Sequence, residues 1–141
     1  MSTDRIFELV NAIAFFSWLL FLIFPFSKLL QKLLLNLVVG GLSGYYTYLF
    51  ATSFDPTAFS EFSTLEGLMG LFSNKEAVLM GWVHYLAFDL VAGIFIARDA
   101  ENEGFSSRIL PLFLLPCFMA GPLGWFAYFI TKVIRNRGRG H

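Results

Sequence analysis

Four apolar stretches, each long enough to cross a bilayer, alternate with short polar links along this chain. A hydrocarbon core of about 30 Å requires about 20 apolar residues of helix. Residues 9–27 carry no charge, with Trp18 inside the run and Pro25 near its end. Residues 33–54 form the second charge-free run, and residues 77–97 and 109–131 the third and fourth. The link from Ser27-Lys28 to Gln31-Lys32 is so short that the first two helices must form an antiparallel hairpin. A charged connector, Arg98-Asp99-Ala100-Glu101-Asn102-Glu103-Gly104, separates the last two runs and ends in glycine. The fold expected is therefore an all-α integral membrane protein, one domain over residues 1–141 with about four transmembrane helices.

The stretch between the second and third runs has a different pattern. Asp55-Pro56 reads as a helix start, since proline suits the first helical turn. Ala58, Phe59, Phe62, Leu65, Met69 and Phe72 then recur at helical spacing, with Ser60, Glu61, Ser63, Thr64 and Glu66 on the other face. An amphipathic helix near 56–72, lying along the interface or over the mouth of the bundle, is expected. Ser73-Asn74-Lys75-Glu76 is a capping-box pattern that opens the third span.

Composition agrees with this reading. The chain is 57% hydrophobic and 14% charged, whereas soluble domains are typically about 25% charged. The net charge of zero gives no electrostatic case for nucleic acid. Met1-Ser2-Thr3-Asp4-Arg5 followed by an uninterrupted apolar run does not resemble a cleaved signal, so the mature chain is expected to begin near Met1. With four spans both termini share a side, which collects Arg5, Lys75, Lys132, Arg135, Arg137 and Arg139 against Lys28, Lys32, Arg98 and Arg108. That bias favours both termini in the cytoplasm.

Several residues stand out against the apolar background. Gly40, Gly41 and Gly44 allow close helix approach, either to a neighbour in the same chain, the commoner use, or to a second copy through Gly40 and Gly44. In the fourth run, Gly121-Pro122-Leu123-Gly124 should kink or break the helix, because Pro122 removes a backbone hydrogen bond. Carbonyls released there must face protein, water or a ligand, so the break is either a packing device or a ligand notch. Trp18 and Trp125 lie inside their runs, where they fill space or flank a flat apolar ligand.

The third run holds the chemistry. Asp89 lies near its middle, where a carboxylate costs about 2.5–3.5 kcal/mol or more unless it faces a polar interior. Tyr85 precedes it by one turn on the same face; His84 is about 140° away around an ideal helix, so His84 and Asp89 line two edges of one pocket or meet other helices, for instance at Asn11. Buried acids and histidines titrate closer to neutrality, where acid–base catalysis works best. Interhelical glue is the structural alternative for Asp89. One His, one Asp and the lone Cys117 do not reproduce metal-ligand spacing, and no phosphate loop, nucleophile elbow or redox motif is present, so no metal or cofactor is expected.

The run Trp82-Val83-His84-Tyr85-Leu86-Ala87-Phe88-Asp89-Leu90, with Gly93, Arg98-Asp99, Pro111 and Gly121-Pro122-Leu123-Gly124, resembles the abscisic-acid-deficient-four-like family. Asn11, Trp18-Leu19-Leu20 and Pro25 fit the same pattern, so the resemblance covers nearly the whole chain. Plant members of that family are chloroplast membrane proteins required to form neoxanthin from violaxanthin. This chain departs from them in lacking a transit peptide, which suggests a bacterial relative in the inner membrane. The resemblance implies an isomerase that opens a carotenoid epoxide to an allenic alcohol with one acid, one base and no cofactor. His84, Asp89 and Tyr85 are the candidate catalytic residues. Asn11, Trp18, Trp82, Arg98, Asp99, Gly121, Pro122 and Trp125 are the candidates for binding a long isoprenoid ligand. A non-catalytic carrier of a carotenoid, retinoid or lipid would need the same groove without the proton-transfer pair. A transporter ranks behind both, since no inverted repeat is visible.

Overall fold

The computed structural model describes residues 2–53 and 58–139, and every regular element among them is helical. Three helices are long and apolar enough to cross a membrane. Helix α1 (Thr3–Ile23) starts at Ser2, whose hydroxyl accepts from the Arg5 amide. Helix α2 (Lys28–Ser53) follows after a tight turn, with Ser27 as its cap. The link is thus Phe24 to Ser27, and the polar residues Lys28, Gln31 and Lys32 already belong to the first turns of α2. Part of α2, Leu34–Val39, is wound as π-helix.

The segment expected as one interfacial helix is divided. Its proposed start at Asp55-Pro56 lies outside the described residues. Beyond it, α3 (Ala58–Glu61) and α4 (Leu65–Leu71) are separated by a turn. Thr64 causes the division, because its side chain accepts from the Gly67 amide at 3.1 Å and so begins a new helix. Phe62, Leu65, Met69 and Phe72 remain exposed.

Helix α5 (Lys75–Asn102) is capped by Asn74, which accepts from the Glu76 amide at 2.8 Å, rather than by Ser73 as the capping-box reading had it. It continues through Arg98 to Asn102, so most of the expected charged connector is helical. Gly104, at φ 71°, ends it, and the Phe105 amide reaches back to the Ala100 carbonyl at 2.8 Å.

The fourth apolar run is the main departure. It does not form one crossing helix: α6 (Pro111–Met119) stops, Ala120 is extended at φ −162° and ψ 93°, and α7 (Gly121–Arg139) begins. The two helices then lie antiparallel. Tyr128 of α7 packs on Phe113 of α6 and on Phe105, with ring centroids 5.6 and 5.7 Å apart. Further on, Lys132 reaches Asp99 at 2.6 Å, and Arg135 donates to the Gly104 carbonyl at 2.8 Å. The chain therefore enters beside Phe105, turns at Ala120 and returns to the end it left.

This hairpin changes the arrangement of the ends. Lys75 pairs with Asp4 at one end of the bundle. At the other, Lys28 pairs with Glu101 and Arg98 reaches Gln31, where the C-terminal turns of α7 also arrive. The first and last described segments thus lie at opposite ends, not on one side as four crossings would require. Regrouped accordingly, Arg5 and Lys75 stand at one end and the other eight Lys and Arg residues at the other.

The core lies where α1, α5 and the hairpin meet. Trp18 and Phe21 are 1% and 0% exposed, and Trp18 packs on Phe118 with centroids 5.4 Å apart. Gly93 makes room for it: a Cβ there would stand 2.5 Å from the Trp18 ring. By contrast, a Cβ at Gly41 or Gly44 meets nothing within 4 Å, and one at Gly40 only its own Leu35 carbonyl at 3.8 Å. The expected use of that stripe, packing within the chain, is not found.

Candidate functional site

Asp89 stands midway along the 28-residue α5, level with the tip of the hairpin. The local reason is backbone accounting. A helix start leaves amide N–H groups without intrahelical partners. At the start of α7 the Ala120 carbonyl accepts from Leu123 at 2.8 Å, and Pro122 has no N–H to satisfy. That leaves the Gly121 N–H, which is directed at the Asp89 carboxylate. A helix N-terminus carries partial positive charge, so a carboxylate is favoured there. Glycine is required because a Cβ at position 121 would overlap Asp89 Oδ1.

The closing end of α6 is tied to the same turn of α5. Tyr85 donates its hydroxyl proton to the Met119 carbonyl at 2.6 Å, and Cys117 Sγ donates to the Asp89 carbonyl at 3.5 Å. The Tyr85 hydroxyl also lies close enough to Asp89 to interact with it electrostatically. Its one proton is engaged at Met119, and Asp89 Oδ2 is buried with no hydrogen-bond partner among the described residues. An unpartnered buried carboxylate oxygen is costly. Rotation about the Tyr85 C–O bond would exchange one acceptor for the other.

A polar line continues from this point toward α1. Trp82 stacks on Tyr85 with centroids 5.3 Å apart, and its Nε1 donates to Asn11 Oδ1 at 2.9 Å. Asn11, Trp82, Tyr85, Asp89, Gly121 and Pro122 are thus brought together. The remaining sequence candidates lie elsewhere. His84 is exposed on another face, with its ring against Phe88 at 4.7 Å and Tyr46 at 5.5 Å. It lines a groove of about 710 Å³ with Tyr46, Phe50, Phe62 and Phe72, and Asp89 is not part of that groove. Trp18, expected as a binding residue, is fully enclosed in the core, so it fills space instead.

Arg98, Asp99 and Trp125 belong to the basic end. Arg98 donates to Gln31 Oε1 at 3.0 Å, and Gln31, fully buried, donates to the Pro25 carbonyl at 2.7 Å. This relay fastens the α1–α2 turn to α5. Asp99 accepts from Tyr128 at 2.5 Å and from Lys132 at 2.6 Å. Trp125 packs on Phe95 with centroids 5.0 Å apart. Sequence reasoning missed Gln31, read as link, and Cys117 and Tyr128, which carry no motif; only their tertiary partners show their use. Among the described residues no cluster of three metal-ligating side chains occurs.

These features define a helical membrane protein in which a broken helix delivers its N-terminus to a buried carboxylate. The family model described as ABA DEFICIENT 4-like matches residues 5–128, and the chain belongs to that family. Neither the curated proteins nor the solved structures contain a match.

Proposed function

We propose that the protein is a carotenoid-modifying membrane isomerase of the neoxanthin-synthase type, which opens a carotenoid epoxide to an allenic alcohol. Family membership supports the substrate class. The observation that carries the chemistry is Asp89, with one oxygen against the Gly121 amide, the other unpartnered, and the Tyr85 hydroxyl beside it.

In this reading Asp89 removes the proton from the polyene carbon next to the epoxide. The C–H electron pair becomes the new C=C bond as the adjacent epoxide C–O bond breaks. Tyr85 donates its proton to the departing oxygen, and Asp89 then returns a proton to Tyr85. Atoms balance, so no redox partner is needed. Asn11 and Trp82 flank the reacting ring, and exposed Met119 and Leu123 give access from the lipid face. His84 serves the adjoining groove, where it contacts substrate rather than exchanging a proton with Asp89.

We further infer an orientation in which the eight-cation end faces the cytoplasm, by the rule that cytoplasmic flanks are rich in Lys and Arg. The outward-facing stripe at Gly41 and Gly44 is where a second copy would pack.

The test is expression in a host that accumulates violaxanthin, followed by pigment analysis. A new allenic product supports the isomerase; bound but unchanged pigment supports the carrier. Asp89→Asn and Tyr85→Phe should both abolish conversion while His84→Ala retains it. Conversion that survives Asp89→Asn would overturn the assignment.

A further inference from the structure

A cleft apart from the His84 groove has no part in the proposed reaction, yet its lining is ordered by chemistry. It lies between α5 and α7 at the basic end and encloses about 530 Å³. Its inner part is aromatic, from Phe95, Trp125 and Phe129, which are 53%, 39% and 51% exposed. Its outer part is polar, from Lys132, Asn136 and Arg137 with the carboxylate Asp99 beside Lys132.

The cations are not equivalent. Lys132 is already neutralised by Asp99 at 2.6 Å and Glu103 at 3.0 Å. Arg135 donates to the Gly104 carbonyl and lies over the Phe105 ring at 4.2 Å. Arg137, at the mouth, makes no ion pair among the described residues. The same end carries eight Lys and Arg residues against three acids, Asp99, Glu101 and Glu103.

We propose that this cleft holds one anionic phospholipid, its headgroup at Arg137 and Asn136 and its acyl chains along Phe95, Trp125 and Phe129. The apolar-to-cationic order along α7 matches a lipid read from chain to headgroup. A soluble anion would leave the aromatic floor unused. A zwitterionic choline headgroup would bring its own cation against Arg137. A second copy of the chain would place one cationic end against another.

Each Lys or Arg near an anionic lipid surface contributes roughly 1 kcal/mol, equivalent to about fivefold in affinity. The experiment uses the full chain in nanodiscs of mixed phosphatidylglycerol and phosphatidylcholine, extracted into mild detergent and weighed intact by native mass spectrometry. Expected is retention of one phosphatidylglycerol per chain in preference to phosphatidylcholine. Arg137→Gln should cut that preference about fivefold, and Arg137→Lys should keep most of it. Equal retention of the two lipids, or a preference unchanged in Arg137→Gln, would overturn the proposal. So would displacement of the lipid by millimolar inorganic phosphate, which would mark a simple anion site. None of these readings depends on pigment conversion, so this proposal and the isomerase assignment can fail separately.

Discussion

The molecule contains two helical hairpins that reverse the chain by opposite means. The α1–α2 hairpin turns at the end of the bundle, where Ser27 caps the new helix and Lys28 pairs with Glu101. The α6–α7 hairpin turns halfway along α5, among apolar neighbours. In the first, one side chain of the new helix serves the turn: Gln31 donates to the Pro25 carbonyl and is itself held by Arg98, while Trp18 and Phe21 pack in the core nearby. In the second, two side chains of the neighbouring α5 satisfy the broken helix. Tyr85 takes the end of α6 and Asp89 the start of α7. The comparison shows why the ionisable residue of the third span and the proline of the fourth belong to one device.

The largest expected effect concerns direction. In a Cys117→Ser background, single cysteines at Ser2 and at Asn136 should react with an impermeant thiol reagent from opposite sides of sealed vesicles. Reaction from the same side would restore four crossings and remove the second hairpin. Next in size, Trp18→Ala should cost about 3–5 kcal/mol, since nothing nearby can fill the space of a buried indole. Thermal unfolding in detergent measures this. Gly121→Ala should cost about 1–3 kcal/mol through overpacking against Asp89, and it should abolish pigment conversion even in the folded fraction. If Gly121→Ala is silent in both assays, Asp89 does not meet the helix start. Smallest is Tyr85→Phe, which removes one hydrogen bond to Met119 and should cost about 0.5–1.5 kcal/mol. A conversion loss far larger than that stability loss would separate the chemical role of Tyr85 from its structural one.

The first three spans were legible in the sequence because hydropathy reports length and burial in lipid. The fourth was legible as apolar but not as reversed. A re-entrant pair and a straight span have the same composition, and hydropathy carries no direction. Pro122 did announce the break. Read within a crossing helix, however, it implied released carbonyls, whereas at the second position of a new helix it needs no partner. The cation count depended on the same reversal: with the C-terminal cations grouped opposite Arg5, six against four becomes eight against two. Asp89 and Tyr85 were found from position alone. His84 was read on another face of the helix but still as the far edge of one pocket with Asp89; its ring instead lies against Tyr46, in a groove that Asp89 does not line. Gln31 escaped notice because its value comes from Arg98, 67 residues away.

The hairpin has one more consequence, for the shape the protein presents to its membrane. At the level of Trp82 the bundle consists of α1, α2 and α5, with the short α3 and α4 lying against α5 at Gly81 and His84. At the level of Asp99 it also includes α6 and α7, joined through Phe113 and Tyr128. The hairpin therefore adds its two helices only to the half of the bundle at the basic end. A change in lateral pressure confined to that half of the bilayer would act on the hairpin, and through the Gly121 amide on Asp89.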